Sequence, residues 1–338
     1  MRGKVIADQV VSFGTRIRQT TIHSNGAPPN APALWERRAP LADHRFSTVP
    51  HGLPAHLRTV LMGGPEFVIG DGDAQVRRYP MPGSASLASQ VLATSTPIPQ
   101  PWSRVYFDLG RLLARLHGAG QAAPELIPEV EPDAHRRLRT WWQGLTDTED
   151  TNGANGTDDK VTHAQDDPAA PQPPTTSIQA GRDFLSGLST PAVHVLDGLL
   201  NTDLTTSAGI VHGWIGLGVA VFSPAATGEP AITCLLGEDL GSAPPEFDLG
   251  TLLAQSVELA VFSPPGIVAA PSACRDDLLA GYQDEGGLCP DPQLLADFTI
   301  EHVARHVCDF VQFAHFDPNE MPRWTRLVNW LVQNRSGS

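Results

Sequence analysis

Residues 210–222 read IVHGWIGLGVAVF and residues 232–254 read ITCLLGEDLGSAPPEFDLGTLLA. Both open on β-branched and apolar residues, which predict two neighbouring strands, over 209–222 and 230–237. Gly237 ends the second strand. GTLLAQSVELA then predicts a helix starting near Asp248, with that aspartate as its N-cap. A pair of strands running straight into a helix marks the place where the chain has already changed character.

Upstream, the first hundred residues read as short strands and turns: VVSFGTRIRQTTI (10–22), PALWERRAPLA (32–42) and EFVIGDGDAQVRRYPMPG (66–83). In the last of these, Gly70-Asp71-Gly72-Asp73 predicts a hairpin with antiparallel strands on either side, and Pro80, Pro82 and Gly83 stop the second strand. From Arg104 the period becomes helical: Val105, Leu109, Leu112, Leu113 and Leu116 recur on one face, and Gly118 follows as a C-cap. Helices are also expected over 132–143, 180–200, 271–283, 291–315 and 321–334. Residues 146–177 hold seven carboxylates against the single Lys160 and no aromatic ring, so a disordered acidic insertion is expected there. The pattern is α+β: a small β-rich N-lobe (1–100) and a larger helical C-lobe (101–338), not the strand–helix alternation of a doubly wound sheet.

The net charge of −14 argues against nucleic acid or an anionic membrane surface as partner, because either needs a concentrated basic face. No apolar run is long enough for a membrane span or a signal peptide, so a cytoplasmic chain is expected. Cys234, Cys274, Cys289 and Cys308 stand far apart and predict free thiols. The only lysines are Lys4 and Lys160, and neither is placed to act on nucleotide phosphates from a small-lobe strand.

Five segments, in this order, resemble the aminoglycoside phosphotransferase and choline kinase family: YPMPG (79–83) its hinge, FDLGRLLARLHG (107–118) its helix ending in Leu-His, IVHGWIGLGVAVF its catalytic loop and following strand, ITCLLGEDLGSAPPEFDLGTLLA its metal-binding segment and next helix, and LLAGYQDEGG (278–287) a further helix. The resemblance implies a bilobal protein-kinase-like fold. The family's loop reads His-Gly-Asp, with an Asn five residues after the Asp; the Asp is the base, and the Asn and a later Asp hold magnesium. His212 and Gly213 match. Trp214, however, stands in place of the base, Val219 in place of the Asn, and Gly237 in place of the metal-binding Asp.

Indole cannot accept a proton and valine cannot bind a hard cation, so the resemblance implies a pseudokinase with no catalytic residues, no metal and no cofactor. Candidates for binding in the interlobe cleft are Arg77, Arg78, Tyr79, Met81, Trp214, Glu238, Asp239 and Asp248. The expected partner is a peptide or a partner protein. Degenerate members of the family look like accessory proteins in bacterial ribosomal-peptide pathways, which suggests that setting. The alternative is an active small-molecule phosphotransferase using Glu238 or Asp239 for metal, or an enzyme of another reaction on the same fold.

Three further groups invite a structural reading first. His302 and His306 lie at i, i+4 with Glu301, but a third metal ligand is missing. Arg37 and Arg38, like Arg77 and Arg78, can meet a phosphate or carboxylate, although strand arginines commonly line an exposed face. Phe316, Trp324 and Trp330 are spaced for a helix that packs onto the large lobe.

Overall fold

Residues 9–24, 31–41, 44–58, 65–92, 101–150, 175–207, 209–223, 231–264, 269–314 and 316–335 are described in the computed structural model. Strand periodicity organises the first part. In β3 (Ala33–Arg38), Ala33, Trp35 and Arg37 share the buried face, and in β6 (Val76–Met81), Arg77, Tyr79 and Met81 do. With β1 (Gln9–Gly14), β2 (Gln19–Ser24) and the two-residue β5 (Asp71–Gly72) they form an antiparallel sheet ordered β1-β2-β3-β6-β5.

The predicted hairpin pairing is corrected. β4 (Glu66–Ile69) does not pair with β6; it runs parallel to β9 (Ala231–Leu236), Glu66 opposite Thr233 and Ile69 opposite Leu236. The hairpin partner of β6 is the short β5, Asp71 opposite Arg78, and β3 lies on the other side of β6. Phe67 and Ile69 pack against Leu53, Leu116, Ile210 and Leu236, apolar surface that the arginine-bearing strand cannot offer. A strand from the N-terminal part is thereby welded to one from the C-terminal part.

The strand expected over 209–222 is two strands in different sheets. β7 (Gly209–Val211) pairs with β10 (Gly241–Ala243), and β8 (Ala220–Ser223) pairs with β9. Residues 212–219 form a loop between them, because Gly213 has φ +80° and the N–H groups of His212 and Gly213 are committed elsewhere.

Among the described residues, eight longer helices build the rest: α3 (Trp102–Ala122), α4 (Asp133–Asp150), α5 (Thr175–Gly187), α6 (Thr190–Leu200), α7 (Glu246–Phe262), α8 (Pro271–Asp284), α9 (Pro292–Phe313) and α10 (Met321–Gln333). Two short helices, α1 (Leu53–Arg58) and α2 (Leu87–Leu92), precede them in the chain. The helix predicted over 180–200 is split: Ser189 is extended and Pro191 sits in the first turn of α6, where its missing N–H costs nothing. The expected acidic insertion overlaps α4 as far as Asp150 and α5 from Thr175, and 151–174 lie outside the described residues. Among the described residues no helix is long and apolar enough to cross a membrane.

α3 and α8 approach through glycine. A Cβ on Gly110 would stand 2.1 Å from the Leu278 carbonyl oxygen, and one on Gly281 would stand 2.0 Å from that of Phe107. Backbone therefore lies on backbone at this crossing, and the side chains of α3, α7 and α8, from Val105 to Tyr282, form one core around it.

Candidate functional site: a filled interlobe cleft

Asp248 is buried in the first turn of α7, which starts at Glu246, so it is not the N-cap predicted for it. Its carboxylate accepts instead from the N–H of His212 at 2.7 Å and of Gly213 at 3.1 Å, and His117 Nε2 donates to it at 3.2 Å. Tyr282 Oη in turn is 2.9 Å from His117 Nδ1. Since a carboxylate only accepts, the proton of His117 lies on Nε2 and the tyrosine donates to Nδ1. The chain Tyr282–His117–Asp248 anchors the 212–219 loop from beneath. His212 is buried, its Nε2 donating to the Leu235 carbonyl at 2.6 Å and its Nδ1 accepting from Trp214 N–H at 3.3 Å. Burial lowers its pKa despite the opposing charge of Asp248, so the imidazole is neutral and structural.

Above this loop the hinge region is closed by protein. Trp35 Nε1 donates to the Gly83 carbonyl at 2.8 Å, and the indole is completely buried. It packs with Ile22, Tyr79, Met81, Val219, Val221 and Leu235. Tyr79 and Met81 thus belong to a core and do not line an open cleft, which corrects their reading as binding residues. Val219 is part of the same core; burying it and Met81 stabilises the packing by about 1.5–3 kcal/mol each.

The segment after β9 is equally committed. Gly237 has φ +107°, and its carbonyl accepts from buried Arg77, whose guanidinium also reaches the Ser47 carbonyl. Both oxygens of buried Glu238 are held by Arg37, at 2.9 and 2.8 Å, with Arg18 at 4.0 Å. Burial would push the Glu238 carboxyl up; Arg37 and then Arg18 outweigh it and hold it below the usual carboxylate range. Asp239 accepts from the N–H groups of Asp133 at 2.8 Å and Ala134 at 3.1 Å, capping α4 from another part of the chain. Burial, and then the charge of Asp133, push its carboxyl up to about 6 against Arg137 and Arg18.

In a kinase the turn between the first two strands is Gly-rich and covers the phosphates, and a lysine on the third strand reaches them. Here that turn reads TRIR (15–18). Ile17 and Arg18 are buried, and Arg16 N–H donates to the Phe313 carbonyl at 2.8 Å. The third strand's inward cation is Arg37, which is spent on Glu238.

The remaining candidates are separated. Arg78 points outward to Glu36 at 3.0 Å, as strand alternation requires after inward Arg77. Trp214 is half-buried, with the Arg137 guanidinium 5.3 Å from its ring centre, and Arg137 is held by Asp133 and Asp309. Trp214 also lines a cavity of about 690 Å³ shared with Val219, Gln255, Glu258, His306, Phe310 and Trp324. Sequence reading missed Trp35, Arg18, Arg137 and Glu258. Trp35 and Arg37 did carry one signal, their spacing of two on a strand, which places both on the same inward face.

No protein family matches this chain, and no curated protein matches it. Solved structures do. A spectinomycin phosphotransferase in complex with ADP and spectinomycin superposes with a TM-score of 0.51 at 10% identity, over 98% of this chain and 93% of that one. An amicoumacin kinase in complex with AMP-PNP, calcium and Ami gives 0.53 at 13%, over 96% and 88%. This chain therefore has the bilobal, protein-kinase-like α+β fold of the aminoglycoside phosphotransferases.

Proposed function

We propose that the protein is a pseudokinase, a chain with this fold that transfers no phosphate and serves to bind a peptide or a partner protein. One observation carries the reading: the Trp35 indole bonds the Gly83 carbonyl of the hinge, the backbone that in an active kinase meets adenine, and seals that position with Met81 and Val219. Positioning and electrostatics supply nearly all phosphoryl-transfer catalysis, and here the groups that remain acidic are turned to other uses. Glu238 gives both oxygens to Arg37 and Asp239 gives both to the start of α4, which counts against the rival reading in which either holds a metal.

The net charge of −14 favours a basic or neutral partner, and a ribosomal-peptide pathway is the setting we favour. The test is thermal unfolding with ATP, varying magnesium. A ligand at 100 times its Kd adds about 2.7 kcal/mol to stability. No shift at millimolar nucleotide is expected, with or without magnesium. A magnesium-dependent rise in Tm, or turnover abolished by Asp239→Ala, would sink the proposal.

A further inference from the structure

We propose that Glu258, His302 and His306 bind a divalent cation of the zinc class in the wall of the cavity beside the 212–219 loop. The inference stands apart from the pseudokinase reading. His302 and His306 are one turn apart on α9, their ring centres 4.3 Å from each other, so both imidazoles leave the same face. The third ligand that the sequence did not show comes from α7: one ligand atom from each of the three residues lies within 4.8 Å of the other two. Glu301, the neighbour in sequence, instead faces His135 at 3.1 Å. One carboxylate and two imidazoles are a set that zinc accepts, leaving a fourth position for water or a ligand.

Two observations point to a ligand and not to packing alone. Glu258 and His302 are more than nine-tenths buried, yet among the described residues Glu258 Oε1 and His302 Nε2 have no hydrogen-bond partner. Each such atom has given up its hydration with nothing in the protein to replace it. Glu258 and His306 also line the cavity of about 690 Å³, which provides a route in and room at the fourth position.

The existing bonds show what loading has to displace. His306 Nδ1 donates its proton to Glu258 Oε2 at 2.7 Å. Arg305 Nη2 is 3.0 Å from His302 Nδ1; it donates there, which places the imidazole proton of the metal-free ring on Nε2. Zinc takes the place of the first proton, and each neutral imidazole keeps its one proton on the ring nitrogen that does not face the metal, while Arg305 keeps Thr251 Oγ1, 2.7 Å away, as its partner. Uptake releases a proton where an imidazole is cationic beforehand and shifts it between the ring nitrogens where the ring is neutral.

The experiment uses the full chain, stripped with a chelator and titrated calorimetrically with zinc chloride, with cobalt(II) as a spectroscopic probe. One zinc per chain, visible cobalt bands of a tetrahedral site and no uptake of magnesium are expected. His306→Ala and Glu258→Gln, each checked for folding by circular dichroism, should weaken zinc binding more than about 100-fold, beyond the loss caused by removing an outer-shell partner. His306→Gln replaces either variant if it does not fold. A folded wild-type chain that takes up no stoichiometric zinc overturns the proposal, and so does zinc affinity unchanged in the variants.

Discussion

The Arg37 guanidinium grips both oxygens of Glu238, at 2.9 and 2.8 Å, joining β3 to the segment that follows β9, more than two hundred residues away in sequence. Both side chains are buried, so water does not share the interaction. A pair of this kind gains little over an apolar pair of the same volume, but losing one partner leaves a bare charge.

Arg37→Ala should therefore cost about 3–5 kcal/mol in urea denaturation, because Arg18 alone, at 4.0 Å, cannot replace a two-pronged partner. Arg37→Met combined with Glu238→Leu should recover most of that loss. A double variant no more stable than Arg37→Ala would show that the cost lies in packing and not in the stranded carboxylate.

Asp239 makes a prediction about pH. Its folded-state pKa is raised to about 6, so the folded chain binds a proton that the unfolded chain takes up only near pH 4. Its contribution to stability therefore grows as pH falls through about 6 towards 4 and is lost as pH rises through about 6. Asp239→Asn keeps an acceptor for the α4 N–H groups and removes the titration. The stability of the wild type relative to this variant should rise on acidification between pH 6.5 and 4.5, by at most about 1.4 kcal/mol per pH unit. A flat difference would refute the assignment.

Asp248→Ala should strand the N–H groups of His212 and Gly213 and the Nε2–H of His117. At about 1–3 kcal/mol for each buried unmet group, the total is about 3 kcal/mol or more. Asp248→Asn keeps part of the acceptance and should cost less. Equal losses in the two variants, read from chemical denaturation, would mean that the carboxylate does not anchor the loop.

The fold was legible because its signals are local and ordered. Helical spacing from Val105 to Leu116 gave α3, and five segments in the right sequence gave the architecture. What the sequence hid was long-range pairing. The turn at Gly70–Asp73 looks like an ordinary hairpin, and only the apolar surface beside α3 explains why β4 turns to β9. The candidate site divides in the same way. Trp214, Val219 and Gly237 are conspicuous as departures from a pattern. That Trp35 meets Gly83, that Arg37 meets Glu238 and that Glu258 joins two histidines depends on residues brought together from far apart, and one strand period or one helical turn says nothing about what lies opposite.

The crossing of α3 and α8 has a consequence beyond packing. His117 belongs to one of these helices and Tyr282 to the other, and the bare backbones at Gly110 and Gly281 set how far apart the two side chains stand. The anchored loop is thus positioned by a measured spacing, much as a gauge block sets a gap. One methyl group at either glycine would lengthen that gauge, and the error would be read out at His212, which Asp248 holds at the far end of the chain of bonds from Tyr282.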